Sequence, residues 1–565
     1  MGYIQGNNRE QQDLFPPTID EMVLADSPVR LFDTFVESLN LVKLGFEKSV
    51  PSTEGRPAYN PADLLKLYLY GYFYGIRSSR KLARECYVNI EVMWLINQLK
   101  PDFRTISDFR KDNKESFPKV FKEFNRYCWQ VGILGQSCIS IDGSKFKAVN
   151  SLERNFTQIR LDASIDRLGR CIQHYLDDLE SSDCSEDKIE EINNEINKCK
   201  EKISLYQNYQ NRIINEGKTQ ISLTDPESKL MKTKDGFVVC YNNQAAVDAK
   251  SHLIAGFDVT DKTCDFGLIT SLADSVKEDL KSFGETKNII STLADRGYQD
   301  PVDMMNALEK GIIPNVIQKR GKNEVLLETT FEESEISDEI ENSENPEDIK
   351  RCLRAGVIPN AYKNVISRID IKNRNVLEGN KTNDSEIIKM TNDEMIAKAK
   401  SGFFIRNPEA NIVYCPQGKI LHQETIKKSG AISYRNRHAC EKCTNKCSNV
   451  IHKHVCFTKD ETIKEVKNSC RQLSYSMRSK RKENSKKSSK KIAIIHFIPD
   501  QKLLAQRQNL SEHPFGTVKR NLNSYYLLLK GKNKVKAEMA LIFLAYNMRR
   551  AINIAGIGKM MGIMK

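Results

Sequence analysis

Two aspartates stand where an α/β chain would present a reactive carboxylate. Asp142 closes the alternating stretch Ser137-Cys138-Ile139-Ser140-Ile141, and Asp295 follows the apolar run from Ile289 to Ala294. Strand ends are where such a sheet displays its active site, because side chains there leave the packed core and meet the connecting loops. Taken singly, either residue reads first as a turn former. Asp248 and Asp258 are rivals, but the first falls in a turn and the second inside a strand. A second constellation is made of cysteines: Cys415 in VYCPQGK, then Cys440, Cys443 and Cys447 in HACEKCTNKC. A C-x2-C-x3-C group with a distant fourth thiol is compatible with a tetrahedral structural zinc, with His438, His452, His454 and Cys456 as nearby alternates. Four incidental thiols are the other reading.

The elements around the two aspartates give the pair its interest. Residues 57 to 115 have apolar positions at helical spacing, with Asn60 and Pro61 as a start signal, a second helix after Ser78-Ser79 and a third near Thr105. Arg77, Arg80, Lys81, Arg84, Arg104, Arg110 and Lys111 recur there, which suits a small helical DNA-binding module. A solvated face on an ordinary helical domain would look the same. After the Asp142 strand, Leu161, Ile165, Leu168, Ile172, Leu176 and Leu179 form one seam and Ile189, Ile192, Ile196, Cys199 and Ile203 another. Spacings of three and four, broken at Ser181 to Ser185, predict an antiparallel coiled-coil hairpin inserted into the domain. Strands follow at Phe237 to Tyr241 and Leu253 to Val259, then a helix over Leu268 to Ser282 and the strand ending at Asp295. Asp300 and Pro301 start a further helix, and Ile312 to Ile317 reads as a strand. Strand with terminal Asp, meander, helix, strand with terminal Asp and helix is the order of an RNase H-like core.

At this point the chain resembles the DDE transposases of bacterial insertion sequences, closest to the IS eleven-eighty-two-like group of the IS four superfamily. The resemblance rests on PDFRTISDFR, ISIDGSKFKAVNS, TDPESKLMKTKDGFVVCYNNQAAVD, LADRGY, SEHPFGTVKRNL and AYNMRRAINI. It implies that Asp142, Asp295 and Glu512 form a catalytic triad of metal-binding carboxylates, with Lys519 in the place of the lysine that follows the glutamate. The superfamily sets Tyr and Arg at fixed positions before that Glu; here Ala505 and Gln508 stand there, and Arg507 is the nearest base. Glu538, on a convincing helix, is a rival third carboxylate. Pro514 and Gly516 should end or kink any helix just beyond Glu512. The implied chemistry is coherent. Two divalent cations about 3.5–4 Å apart activate the attacking oxygen and stabilise the leaving one, and hard carboxylate oxygens suit magnesium or manganese. Lys519 and Arg520 would bind phosphates, as would Arg77, Arg80, Lys81 and Arg110 on the N-terminal helices.

Composition sets the outer bounds. The chain has 565 residues, a net charge of +13 and fifteen cysteines. The charge favours a polyanion, here the double-stranded DNA of element ends and target. With no apolar stretch of membrane-spanning length and no signal-peptide pattern, the expected place is the cytoplasm, on the nucleoid when DNA is bound, with no membrane partner. Synapsis of two ends implies a homodimer or larger. The expected class is α/β: a helical N-terminal domain at 1–130, the first part of an RNase H-like core at 131–320 with the hairpin at 151–217, an insertion at 321–497 with an acidic loop and the Cys cluster, and the core's C-terminal part at 498–565. Residues 324 to 349 read as a solvated acidic loop and 478 to 491 as a basic stretch able to track phosphates. A catalytically silent, domesticated DNA-binding protein and an RNase H-like nuclease without strand transfer are the competing functions.

Overall fold

The helix signals of the N-terminal region are realised through their caps. Helix α1 (Pro28–Glu37) begins at Ser27, whose hydroxyl accepts from the Val29 N–H, and α2 (Leu41–Leu44) begins at Asn40. Asn60 caps α3 (Pro61–Phe73) by accepting from the Ala62 N–H, with Pro61 in the first helical position where no N–H is needed. Helix α3 is buried all round from Leu64 to Phe73, so it is a central helix. Helices α4 (Ser79–Val88), α5 (Ile90–Leu95), α6 (Phe103–Asp112) and α7 (Phe117–Gln130) complete the region.

The computed structural model describes residues 14–564 apart from 52, 56, 136–137, 182–185, 217, 219, 235, 319–323, 377–391, 401–402, 408–409, 427–431, 437–454, 458–462 and 466–487. Side chains at a few further positions, Glu512 among them, also lie outside this description. The chain divides into two compact units, one formed by Met1–Ile371 with Ala493–Lys565 and the other by Lys372–Ile492.

The first unit is built on a six-stranded sheet. Strand β1 (Cys138–Lys147) leads into β2 (Asn155–Thr157), α8 (Gln158–Ser181), α9 (Glu186–Asn215) and β3 (Gln220–Ser222). The two long helices face each other through Leu168, Ile192, Ile196 and Cys199, all buried, above a base of Phe156, Leu161, Ile213 and Ile221 beside the β2–β3 ladder. Their spacing of three and four residues puts these side chains on one stripe of each helix. The sheet resumes with β4 (Lys229–Thr233), β5 (Gly236–Asp248) and β6 (Ile254–Thr260), then α10 (Ile269–Phe283), β7 (Ile290–Ala294), α11 (Pro301–Glu309) and β8 (Ile312–Val316). Its order is β4-β5-β1-β7-β8, with β6 also on β5. Strand β5 runs antiparallel to β1 and β6, while β7 and β8 run parallel to β1. Along the chain, strand, meander, helix, strand and helix follow one another in the succession expected of an RNase H-like core.

The acidic segment differs from the solvated loop that its composition suggests. It holds β9 (Val325–Thr330), α12 (Asp338–Glu341) and α13 (Pro346–Ala355). Val325 and Leu327 alternate inward, and Ser337 and Asn345 cap the helices, so local pattern outweighs charge. Arg354 ties the segment to Glu309 at 3.0 Å and to Glu332 at 2.7 Å. The next strand, β10 (Ile366–Val376), continues into the second unit.

The second unit thus begins near 372, not 321. It contains α14 (Asn392–Lys400), β11 (Phe403–Asn407), β12 (Ile412–Tyr414), β13 (Ile420–Ile426), β14 (Ile432–Arg435), β15 (Val455–Phe457) and β16 (Ile463–Glu465). The strands form one sheet in the order β15-β14-β13-β12-β11-β16 around Phe404, Val413, Cys415, Leu421 and Tyr434. Strand β17 (Ser488–Phe497) returns to the first unit and pairs between β9 and β10. Helices α15 (Gln501–Arg520), α16 (Lys532–Ala555) and α17 (Ile557–Met564) end the chain.

One continuous apolar core joins the N-terminal helices, the six-stranded sheet and α16, so the helical region is not set apart from the sheet domain. Helix α15 runs through Pro514 without ending. Proline removes one backbone hydrogen bond there, but Pro514, Phe515 and Val518 are all buried, and that packing offsets the loss. Among the described residues, no helix is long and apolar enough to cross a membrane.

Candidate active site

Register brings the two aspartates together. Strands β1 and β7 pair in parallel with Ser140 opposite Leu293, so Asp142 and Asp295, each two residues further on, fall at one level. Side chains alternate along a strand, and both acids therefore share the face that carries Cys138, Ser140 and Leu293. Strand β1 continues to Lys147 through its pairing with β5, but its pairing with β7 stops at Ser140. The pairing with β7 ends there, beside β1, which has a parallel neighbour on one side and an antiparallel one on the other, and leaves the Asp142 side chain 19% and the Asp295 side chain 40% exposed. Asp142 accepts the Gly143 N–H at 2.9 Å. Asp295 accepts the Gly297 N–H at 2.8 Å and caps the short turn that follows.

Helix α15 lies over this face. Its N-cap, Asp500, accepts from the Lys502 and Leu503 N–H groups, and its own N–H donates to Asn315 at the end of β8. Leu503, Leu504 and Leu510 then pack on Leu293 and Cys138. Leu503, Arg507, Leu510 and Pro514 are spaced by four, three and four, which places Arg507 in the middle of the sheet-facing stripe. One guanidinium nitrogen of Arg507 lies 3.8 Å from Asp142 Oδ1 and 3.9 Å from Asp295 Oδ2. Both distances run to the same atom, so the two carboxylate oxygens are no farther apart than their sum, about 7.7 Å. Seven residues beyond Glu512 on the same helix, Lys519 donates to Ser144 Oγ at 2.6 Å and to the Lys145 carbonyl at 3.0 Å, its ammonium over the Phe146 ring. The Glu512 backbone is thus bracketed by two side chains that both reach β1.

Behind the pair is a polar layer that sequence reading did not find. Asp265 accepts from Asn242 at 2.7 Å and Gln244 at 2.8 Å, and Gln244 accepts from the Tyr298 hydroxyl. Tyr298 belongs to the turn that Asp295 caps, so the layer links β5 to that turn. Burial pushes the Tyr298 phenol well above its usual range, and the negative charges of Asp265, Asp142 and Asp295 add to the effect. Gly143 explains the small residue in SIDGSKF. A Cβ there would stand 2.3 Å from Gln244 Nε2 and 2.7 Å from Asp265 Oδ1, so a larger residue would have to displace these side chains from their mutual hydrogen bond. Asp265 carried no local motif that would have announced it.

The other expected site residues fall in different places. Arg77 and Arg110 are interior, not on a DNA-facing surface. Arg77 donates to the Tyr526 carbonyl at 2.8 Å and pairs with Glu538 at 3.6 Å, and Arg110 donates to the Tyr72 hydroxyl at 3.1 Å. The same geometry removes Glu538 from contention as a reactive acid. It is fully buried and accepts from the Leu528 and Leu529 N–H groups. Burial raises its pKa, while Arg110 and Arg77 pull it back. Helical periodicity found the positively charged face but not which of its members turn inward. Arg80 and Lys81 remain exposed on α4, with Arg80 over the Phe103 ring, and Arg520 is exposed at the end of α15. Cys415 is buried in a turn closed by the Cys415 N–H on the Lys419 carbonyl, whereas Cys440, Cys443 and Cys447 lie outside the described residues. So does most of the basic stretch 478 to 491. Among the described residues no three His, Cys, Asp or Glu side chains gather into a metal cage, and the Glu512 side chain is not among those residues.

Comparison with known families gives two matches. A family described as a transposase domain matches residues 17–112, the helical region, and one described as a transposase DDE domain matches residues 218–548. The second match takes in Asp295 and Glu512 and more than half of the chain, while Asp142 lies between the two matches and joins the site through strand register and Arg507. No curated protein and no solved structure matches. With a match of that extent over a mixed α/β sheet that pairs two strand-end aspartates, the chain belongs to the DDE-domain transposases.

Proposed function

We propose that this transposase cuts DNA at the ends of its own insertion element by metal-dependent hydrolysis and joins the freed 3′ ends to target DNA. The observation that carries the reading is the meeting of Asp142 and Asp295 at one level of one sheet face, beneath the helix that bears Glu512. With Glu512 as the third ligand that the family resemblance implies, Asp142 and Asp295 would hold divalent ions, magnesium or manganese. Carboxylate oxygens are hard donors, and a cationic group already lies between two of them. When bound, such ions supply activation of the attacking oxygen and stabilisation of the leaving one. The chain's own part is positional. Lys519, fixed by Ser144 and Phe146, sets a positive charge beside Asp142's strand for the phosphate next to the cut, and Arg520 extends that charge outward. Arg80 and Lys81, exposed on the N-terminal helices, are the contacts we assign to the flanking duplex. We place the chain in the IS eleven-eighty-two-like group on the SEHPFGTVKRNL block, and read the long helical pair as a coiled-coil arm and the second unit as stiffened by zinc on Cys415, Cys440, Cys443 and Cys447. Two ends held together require at least two copies.

The test is incubation with a labelled element end, a target plasmid and magnesium. Joined product supports the proposal. Cleavage without joining supports a nuclease, and binding without cleavage supports an architectural protein.

A further inference from the structure

Arg507 stands within ion-pair distance of both Asp142 and Asp295. Its guanidinium nitrogen stands 3.8 and 3.9 Å from the two carboxylate oxygens, beyond hydrogen-bond range but close enough for a strong Coulombic attraction. Two carboxylates facing each other at the end of neighbouring strands repel, and a cation between them relieves that repulsion. The Arg507 side chain is 13% exposed and that of Asp142 19%, so this pairing is only partly screened by solvent, whereas Asp295, 40% exposed, is screened more. Leu503 and Leu510, one turn to either side, seat the helix on Leu293 and Cys138, so the arginine's backbone is held in place and only rotation of its side chain would move the charge. Magnesium binds carboxylate oxygen at ~2.0–2.1 Å, about half the present nitrogen–oxygen distance, and attracts each oxygen with twice the charge. It would have to take the space that the guanidinium now fills.

We propose that Arg507 is a built-in counter-ion for Asp142 and Asp295: it keeps the carboxylate pair together before metal arrives, and it must swing away for a divalent ion to enter. Arg507 is then a positioning residue that weakens metal binding in the DNA-free protein. The inference rests on the proposed use of Asp142 and Asp295 as metal ligands, and the experiment separates the two claims.

The experiment is titration of the full-length, DNA-free protein with Mn2+, followed by electron paramagnetic resonance, for the wild type, Arg507→Met, Arg507→Lys, Asp142→Asn and the double variant Arg507→Met with Asp142→Asn. Methionine keeps the length and apolar packing of the stem without the charge. Arg507→Met should bind Mn2+ at least about ten-fold more tightly than the wild type, within the usual range for coupled sites. Arg507→Lys should fall between them, and Asp142→Asn should abolish the gain in the double variant. A merely structural role for Arg507 would lower metal affinity or leave it unchanged, and either result overturns the proposal. Should Arg507→Met fail to fold by circular dichroism, the lysine variant decides in its place, since an affinity equal to or below wild type there is equally fatal. If the wild type binds Mn2+ and Asp142→Asn makes no difference, the metal-ligand reading itself fails, and the counter-ion proposal falls with it.

Discussion

Replacing Glu538 by Ala should cost stability and not chemistry. The carboxylate is fully buried, accepts from the Leu528 N–H at 2.9 and 3.1 Å and from the Leu529 N–H at 3.0 Å, and lies 3.6 Å from the Arg77 guanidinium. Truncation leaves Arg77 and Arg110 with a buried positive charge and two backbone donors without their acceptor. Removing one partner of a buried ion pair costs about 3–5 kcal/mol, and each stranded donor about 1–3 kcal/mol. These contributions overlap at one site, so the expected loss is about 4 kcal/mol, not their sum. Glu538→Gln keeps an acceptor oxygen for the backbone and should lose about half as much. Urea unfolding followed by tryptophan fluorescence reads the difference, since Trp94 and Trp129 both lie in the unit that Glu538 holds together. At low temperature, the fraction of either variant that remains folded should still cleave an element end. A Glu538→Ala protein that unfolds like the wild type yet has lost cleavage would refute this reasoning and return Glu538 to the candidate triad.

Other outcomes follow from the same geometry. Asp142→Asn, Asp295→Asn and Glu512→Gln should each abolish strand cleavage while leaving binding of the element end measurable by gel shift; an active Glu512→Gln protein would remove that residue from the set. Gly143→Ala should lower cleavage and cost about 1–3 kcal/mol on thermal unfolding, because the added methyl meets Gln244 and Asp265. Lys277 is buried, donates to the Lys310 carbonyl, and is pushed down to about 8 chiefly by burial. Its folded pKa lies below the unfolded value near 10.5, so between those limits the unfolded chain holds more protons. Stability should therefore rise as pH goes from 8 towards 10.5, with no dependence from this group below 8, and Lys277→Met should flatten that rise in urea midpoints measured across the range.

Periodicity made much of the fold legible. The strand ending at Ala294, the helix capped by Asp300 and the helical pair after β1 all follow from local patterns that tertiary packing reinforces. Long-range placement was not legible in the same way. Arg77, in the connection before α4, and Arg80, in its first turn, carry the same charge, and only the distant Glu538 and Tyr526 hold one of them inward. The acidic stretch around Val325 looked unstructured because its charge masked a short alternation that needs β17, more than 150 residues later, to pair with it. Pro514 looked like a helix stop because the burial that tolerates it comes from the rest of the core. In the site itself, Asp142 and Asp295 were visible as strand ends, whereas Arg507 and Asp265 acquire meaning only when the strands are laid side by side.

Whether three distant acids share bound metal can be read directly by loading the protein with Fe2+ in place of magnesium and adding ascorbate and peroxide, so that hydroxyl radicals cut the chain next to the ion. Mapping the fragments should show cuts near Asp142, Asp295 and Glu512 together, all lost in Asp142→Asn. Cuts confined to one of these segments, or centred on Glu538, would contradict the account.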